Sequence, residues 1–154
     1  MLLTHSHGDH TAGLAELQTR FGCRLIADPR EPWLKDGQAD GAVAHGDDIT
    51  VGNLVLRALS VPGHTPGSTT YVIGKHAFVG DTLFPGGPGR TASNENLVQE
   101  LASITTHLYA LADDTVIYPG HGDRTTIGAS KAESAAFRSR PIPADLKGDV
   151  TWGA

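Results

Sequence analysis

The stretch THSHGDHTAG, residues 4–13, crowds His5, His7, Asp9 and His10 into six consecutive positions. A surface turn has no need of that density. Neutral imidazole and carboxylate are, however, the usual ligands of zinc and similar divalent ions. The preceding MLLT reads as a short buried strand running straight into the cluster. The following TAGLAELQTRFG sets Leu14, Leu17 and Phe21 at helical spacing, with Gly22 as the C-cap. In a loop leaving a strand, alternate residues turn towards one point and the next pair towards another. The motif therefore predicts a strand, a ligand-bearing loop and a helix.

Composition narrows the class. The chain has 154 residues, of which 39% are hydrophobic and 19% charged, enough for one domain over 1–154 with a real core. Nineteen glycines and nine prolines predict long loops between regular elements. A formal charge of −5 argues against a nucleic-acid partner, because phosphate contacts need a basic surface. No apolar run is long enough for a transmembrane helix, and no signal peptide is evident. Cys23 is the single cysteine, so no internal disulfide forms, and a cytoplasmic location is expected.

Further along, RLIA (24–27) reads as a strand and residues 28–48 as a loop with one helical turn around Trp33. ITVGNLVLRALSV (49–61) predicts a hairpin turning at Gly52-Asn53, and residues 69–80 a second pair of strands. GDTLFPGGPGR is a glycine-rich loop. From Asn94 to Leu111 the spacing of Leu97, Val98, Leu101, Ile104, Leu108 and Leu111 predicts one long amphipathic helix. TVIY (115–118) is a buried strand, and a shorter helix covers about 130–138. Strands and helices share the chain, so the class is α+β.

Every later cluster of the same chemistry falls where a strand ends in a loop. VPGHTPGST offers His64, FVGDTLF offers Asp81 and YPGHGD offers His121. With His5, His7, Asp9 and His10 these make seven metal-type ligands. One open catalytic zinc needs three protein ligands. Seven, with one carboxylate bridging, suffice for two metals about 3.5–4 Å apart. His45, His76 and His107 stand outside these patterns and are not expected to ligate. Cys23 is expected to be a small buried residue, and Arg90 either to touch an anionic substrate or, the favoured reading, to brace its loop through an ion pair.

H-x-H-x-D-H, PGHTPGS, GDTLF and PGHG, in that order over residues 1 to about 128, resemble the metallo-β-lactamase superfamily. The loop GDTLFPGGPGRT and the segment IYPGHGDRTTIG look most like its glyoxalase II-like (hydroxyacylglutathione hydrolase-like) members. The resemblance implies a four-layer αββα sandwich, here lacking its first N-terminal strands. It assigns His5, His7 and His64 to one metal, Asp9, His10 and His121 to a second, and Asp81 to both. Two divalent ions are implied, zinc first, with iron or manganese suited to the same ligands. The implied reaction is hydrolysis of a small thioester such as S-lactoylglutathione by a metal-bridging hydroxide, with Asp9 orienting it. Thr65 and Ser68 are candidates for hydrogen bonds that fix ligand geometry. True β-lactamases usually depart from the pattern at the Asp81 position. Persulfide dioxygenases share H-x-H-x-D-H and the GRT loop but use one iron, which gives a second reading. A third follows from MLLT standing where relatives carry further strands: a shortened, inactive piece, or one that covers its open face by pairing as a homo-dimer. The stretch after His121 is also too short for the helical domain with which full glyoxalase II grips glutathione.

Overall fold

The computed structural model describes residues 1–153. At the N-terminus Leu2 pairs in parallel with Ile26, and the Leu3 N–H donates to the Ile26 carbonyl at 3.0 Å. The expected strand MLLT is thus one rung of a ladder. Its neighbours are equally short: β1 (Ile26–Ala27) runs parallel to β2 (Gly41–Ala42). Between Leu2 and β1 lie α1 (Gly8–Thr11) and α2 (Leu14–Phe21), the latter closed by left-handed Gly22, whose N–H returns to the Gln18 carbonyl. Alternation sorts this fragment into two faces. Leu3, Leu25 and Ala27 pack under Leu14 of α2, while Leu2 and Ile26 face the other way onto Val43, Ala58 and Tyr71.

The main sheet takes six strands. They are β3 (Asp48–Val51), β4 (Leu54–Ser60), β5 (Thr69–Ile73), β6 (His76–Gly80), β9 (Val116–Pro119) and β10 (Thr125–Thr126), ordered β10-β9-β6-β5-β4-β3. All neighbours are antiparallel except β6 and β9. The hairpin turn at Gly52-Asn53 stands where the sequence placed it. The loop 81–90 folds further than expected, into a small hairpin of β7 (Leu83–Phe84) with β8 (Gly87–Pro88). No helical turn forms at Trp33, where the chain makes irregular turns.

One face of the six-stranded sheet carries Leu59, Val72, Ala77, Val79 and Ile117 beneath α3 (Asn94–Ser103) and α4 (Ile127–Arg138). Ser93 and Thr126 cap these helices, accepting from the Asn96 and Ala129 N–H groups. The layers are therefore helices, large sheet, small parallel sheet and α2, an α+β sandwich. The small sheet covers only part of its partner. Val51, Leu54 and Phe78, whose strands place them on the covered side, remain 50%, 55% and 43% exposed.

Two expectations about helices need correction. The helix from Asn94 does not stay α to Leu111: at Ser103 it widens into a π turn, Ile104–Leu108, closed by Tyr109 N–H to the Ile104 carbonyl at 2.9 Å. The extra residue per turn rotates Tyr109 into the core, where its hydroxyl meets Ser130 and Ser134 at 2.8 and 2.9 Å. Leu111 is left half-buried and Val98 exposed. The last helix starts at Ile127, ahead of the expected 130. On α2, Leu17 and Phe21 are 41% and 66% exposed, because the small sheet reaches only Leu14. Cys23 is half-buried, not buried.

Leu97 is fully enclosed and Val98, its neighbour, is not. Leu97→Ala will cost about 2–5 kcal/mol of stability in urea unfolding, whereas Val98→Ala will stay within about 0.5 kcal/mol.

Candidate metal centre

Four loops deliver the seven ligand-type side chains to one place. His5 follows the Leu2–Ile26 rung, held from the other side by Thr69 N–H to the Thr4 carbonyl at 2.8 Å. His7 is the extended N-cap of α1, so Asp9 and His10 leave the first turn on a different bearing. His64 sits in the turn between β4 and β5, closed by Val61 N–H to the Ser68 carbonyl at 2.8 Å. Asp81 and His121 follow the ends of the parallel pair β6 and β9, cross-linked by Gly120 N–H to the Gly80 carbonyl at 2.9 Å. Gly120 has to be glycine, since a Cβ there would lie 2.3 Å from Asp81 Oδ1 and 2.5 Å from His10 Cε1.

Among the described residues three overlapping groups result, each with its ligand-type atoms within 4.8 Å of one another. His5, His7 and His64 form one set with a nitrogen each, Asp9, His10 and His121 form a second with a carboxylate oxygen and two nitrogens, and His5, His10 and Asp81 link the two. His64 Nε2 lies 2.9 Å from His7 Nδ1, and His121 Nε2 lies 3.2 Å from His10 Nε2 and 3.1 Å from Asp9 Oδ2. Asp81 stands between the sets. Its Oδ2 is 3.9 Å from His64 Nε2 and 3.5 Å from His121 Nε2, and its Oδ1 is 3.4 Å from His10 Nε2.

The electrostatics match ligation. Burial, then the neighbouring imidazoles of His10, His64 and His7, lowers the His5 pKa to about 3. Burial likewise lowers His64, against its hydrogen bond to a backbone carbonyl. Desolvation would raise the Asp9 pKa, yet its own backbone N–H and the His10 and His121 imidazoles together hold it below the ordinary carboxylate range. At neutral pH, His5 and His64 therefore keep their lone pairs. The His64 Nδ1–H donates to the Arg90 carbonyl at 2.8 Å, which leaves Nε2 to face the centre. His5 Nε2 and Asp81 Oδ1 are buried without any hydrogen-bond partner. Orphaned buried acceptors are costly, and two divalent ions of nitrogen and oxygen preference would satisfy both. The donor set fits such ions.

A cleft of about 1070 Å³ opens over the centre, with His7, Trp33, Phe84, Arg90, Lys147 and Val150 among its walls. Three features at and behind the cleft leave no local pattern in the sequence. Trp33 tilts over His7 with ring centroids 4.6 Å apart while staying 58% exposed. The C-terminal tail folds back along the cleft, pairing Thr91 with Gly148 and donating Trp152 N–H to the Gly86 carbonyl at 2.8 Å. Glu100 lies fully buried behind the centre, where desolvation and the charge of Asp81 push its carboxyl well above the ordinary range. Arg90 does meet a carboxylate, Asp149, but at 3.7 Å between exposed groups. Its backbone carbonyl, the acceptor for His64, is the part that reaches the site. Thr65 and Ser68 are buried and bond each other at 2.7 Å, acting on the turn that carries His64 and not on an imidazole. His45 and His107 stack on each other elsewhere at 4.5 Å, and His76 lies beside Tyr118.

Comparison with known proteins agrees with this geometry. The family model for the metallo-beta-lactamase superfamily matches residues 1–121. A hydroxyacylglutathione hydrolase of Bradyrhizobium sp. (strain ORS 278) is 41% identical over 123 residues, 79% of this chain and 47% of the relative. The chain thus spans about half the length of that relative. Among solved structures, the BLEG-1 B3 metallo-beta-lactamase superposes with a TM-score of 0.78 at 30% identity, over 85% of this chain and 73% of that one. ETHE1 from Myxococcus xanthus gives 0.76 at 35% identity, over 84% and 58%. The family match over residues 1–121 and the superposition of the sandwich point the same way, and the chain belongs to the metallo-beta-lactamase superfamily.

Proposed function

We propose that this chain forms the metal-binding part of a glyoxalase II-like metallo-hydrolase that cleaves a small hydroxyacyl thioester such as S-lactoylglutathione. The observation that carries this reading is the Asp81 carboxylate standing between two complete ligand sets. His5, His7 and His64 would hold one divalent ion and Asp9, His10 and His121 the other, with Asp81 placed to serve both. Zinc suits these ligands, as do iron and manganese. Two such ions supply a water acidified towards a pKa of about 7 and a Lewis acid for the carbonyl oxygen.

The side chains around the centre do the rest. Asp9, whose carboxyl is held ionised, accepts a hydrogen bond from the attacking water and fixes its direction. Trp33 and Phe84 shield the acyl group from bulk water, and Arg90 and Lys147 bring positive charge to the rim for an anionic thiol portion. A thiolate with a pKa near 8.5 leaves without an acid to protonate it, so none is required of the site. The name carried by the Bradyrhizobium relative supports the substrate class.

The resemblance to persulfide dioxygenases gives one second reading, a centre holding a single iron that reacts with oxygen, and the ETHE1 neighbour at 35% identity is compatible with it. Elemental analysis of gel-filtered protein separates the two. Two zinc or mixed metals per chain with thiol release from S-lactoylglutathione uphold the hydrolase, and one iron with oxygen uptake replaces it.

Two substitutions and a pH series check the assignment. His64→Ala will remove most bound metal and hydrolysis, whereas His107→Ala, on a separate face, will change little. In the metal-free protein His5 has a pKa near 3 when folded and 6.5 when unfolded. The unfolded chain then binds the extra proton between those values, so stability falls as pH drops from 6.5 towards 3. Melting temperatures will be lower at pH 5 than at pH 7.5, and His5→Asn will flatten that dependence.

A further inference from the structure

A carboxylate that the site has not yet used lies beneath it. Glu31 is only 5% exposed, in the loop after β1. A buried carboxylate is expensive unless its oxygens are filled, and here they are filled from two directions. Oε2 accepts from the Ser6 N–H and from the Ser6 hydroxyl, both at 2.7 Å, and Oε1 accepts from the Thr65 hydroxyl at 2.5 Å. Ser6 stands between His5 and His7, and Thr65 follows His64. Each end of this carboxylate therefore grips the residue adjoining a ligand of the three-histidine set.

The grip extends outward on both sides. Ser6 Oγ also accepts the Trp33 N–H at 3.2 Å, which ties the tryptophan over His7 to the same point. On the far side, Ser68 Oγ accepts the Thr65 N–H at 3.1 Å and lies 2.7 Å from the Thr65 hydroxyl. The loops close so tightly that a Cβ on Gly67 would lie 2.8 Å from Glu31 Oε1 and 2.9 Å from its backbone nitrogen. None of these bonds touches an imidazole. Packing alone would be served more cheaply by an apolar side chain; three directed acceptor bonds serve geometry.

We propose that Glu31 is a positioning residue that buckles the His5–His7 loop to the His64 turn and so sets the spacing of the three-histidine metal set, an inference that rests on reading those histidines as ligands. Among the described residues Glu31 makes no hydrogen bond to the second set, Asp9, His10 and His121, and that set lies outside its grip. Removing a partner that orients metal ligands commonly costs about 10- to 100-fold in metal affinity. That loss falls on one set only.

The test uses zinc alone, titrated against a chromophoric chelator, in two parent variants of the full chain. His121→Ala retains the three-histidine set and His7→Ala retains the other. Adding Glu31→Ala will weaken zinc binding about 10- to 100-fold in the first parent and leave it near the parent value in the second. Glu31→Gln keeps an oxygen for the Ser6 N–H and offers an amide to Thr65 Oγ1, and it will restore most of the loss. In the first parent loaded with cobalt, the d–d bands will shift with Glu31→Ala and return with Glu31→Gln. Equal weakening in both parents, or none in the first, overturns the proposal. If Glu31→Ala does not fold, Ser6→Ala, which removes one bond from the buckle, gives the same selective loss or overturns it in the same way. Failure of the thioester reading shows separately, as a wild-type protein that binds two metals and hydrolyses nothing. A first parent that binds no zinc at all overturns both.

Discussion

The parallel pairing of β6 with β9 is the constraint from which the site follows. These are the only parallel neighbours in the six-stranded sheet. Parallel strands end at the same edge, so Asp81 and His121, forty residues apart in the chain, emerge side by side. The Gly120–Gly80 hydrogen bond pins the two ends together, and the missing side chain at Gly120 lets His10 and Asp81 close over it. Asp81 then lies within 4 Å of histidines from both sets. Shift this register by one residue and the carboxylate turns to the other face of the sheet.

Around that pair the molecule divides its labour unevenly. The helix face of the sheet is closed by α3, the π turn and α4, and supplies rigidity. The opposite face is covered by a parallel fragment of three short segments that carries His5 at its edge. Such a fragment has few hydrogen bonds of its own. Its loops are held to the sheet by Thr69 N–H to the Thr4 carbonyl, by the Tyr71 hydroxyl on the Leu3 carbonyl at 2.9 Å and by the Glu31 buckle. The cleft wall is similarly assembled from distant parts, the 83–91 loop and the tail that binds it through Gly148 and Trp152.

Much of this was legible because it repeats locally. The hairpin over 49–61 and the strand pair over 69–80 were legible as local units, and the turn at Gly52-Asn53 needed only its own residues. The seven ligand-type residues announced themselves by type and by their places after strands, and the structure brings all seven together. Most departures from local pattern come from distant neighbours, and one from a local change of helix type. Leu17 and Phe21 follow helical spacing but find no sheet above them, MLLT finds one rung instead of a strand, and Tyr109 enters the core because a π turn rotates it.

The sequence by itself determined the chemistry, since side-chain type and local backbone preference are properties of neighbours in the chain. It fixed imidazole and carboxylate at strand ends, glycines where backbones must approach, and a family signature over residues 1–121. Only the tertiary structure decided which ligand-type side chains come together, that His64 bonds the Arg90 carbonyl, that Trp33 and the tail wall the cleft, and that Glu31 joins Ser6 to Thr65. Those are contacts between segments remote in sequence. Loop closure over such distances leaves no periodic trace, because each depends on one hydrogen bond or one ring contact and not on a pattern.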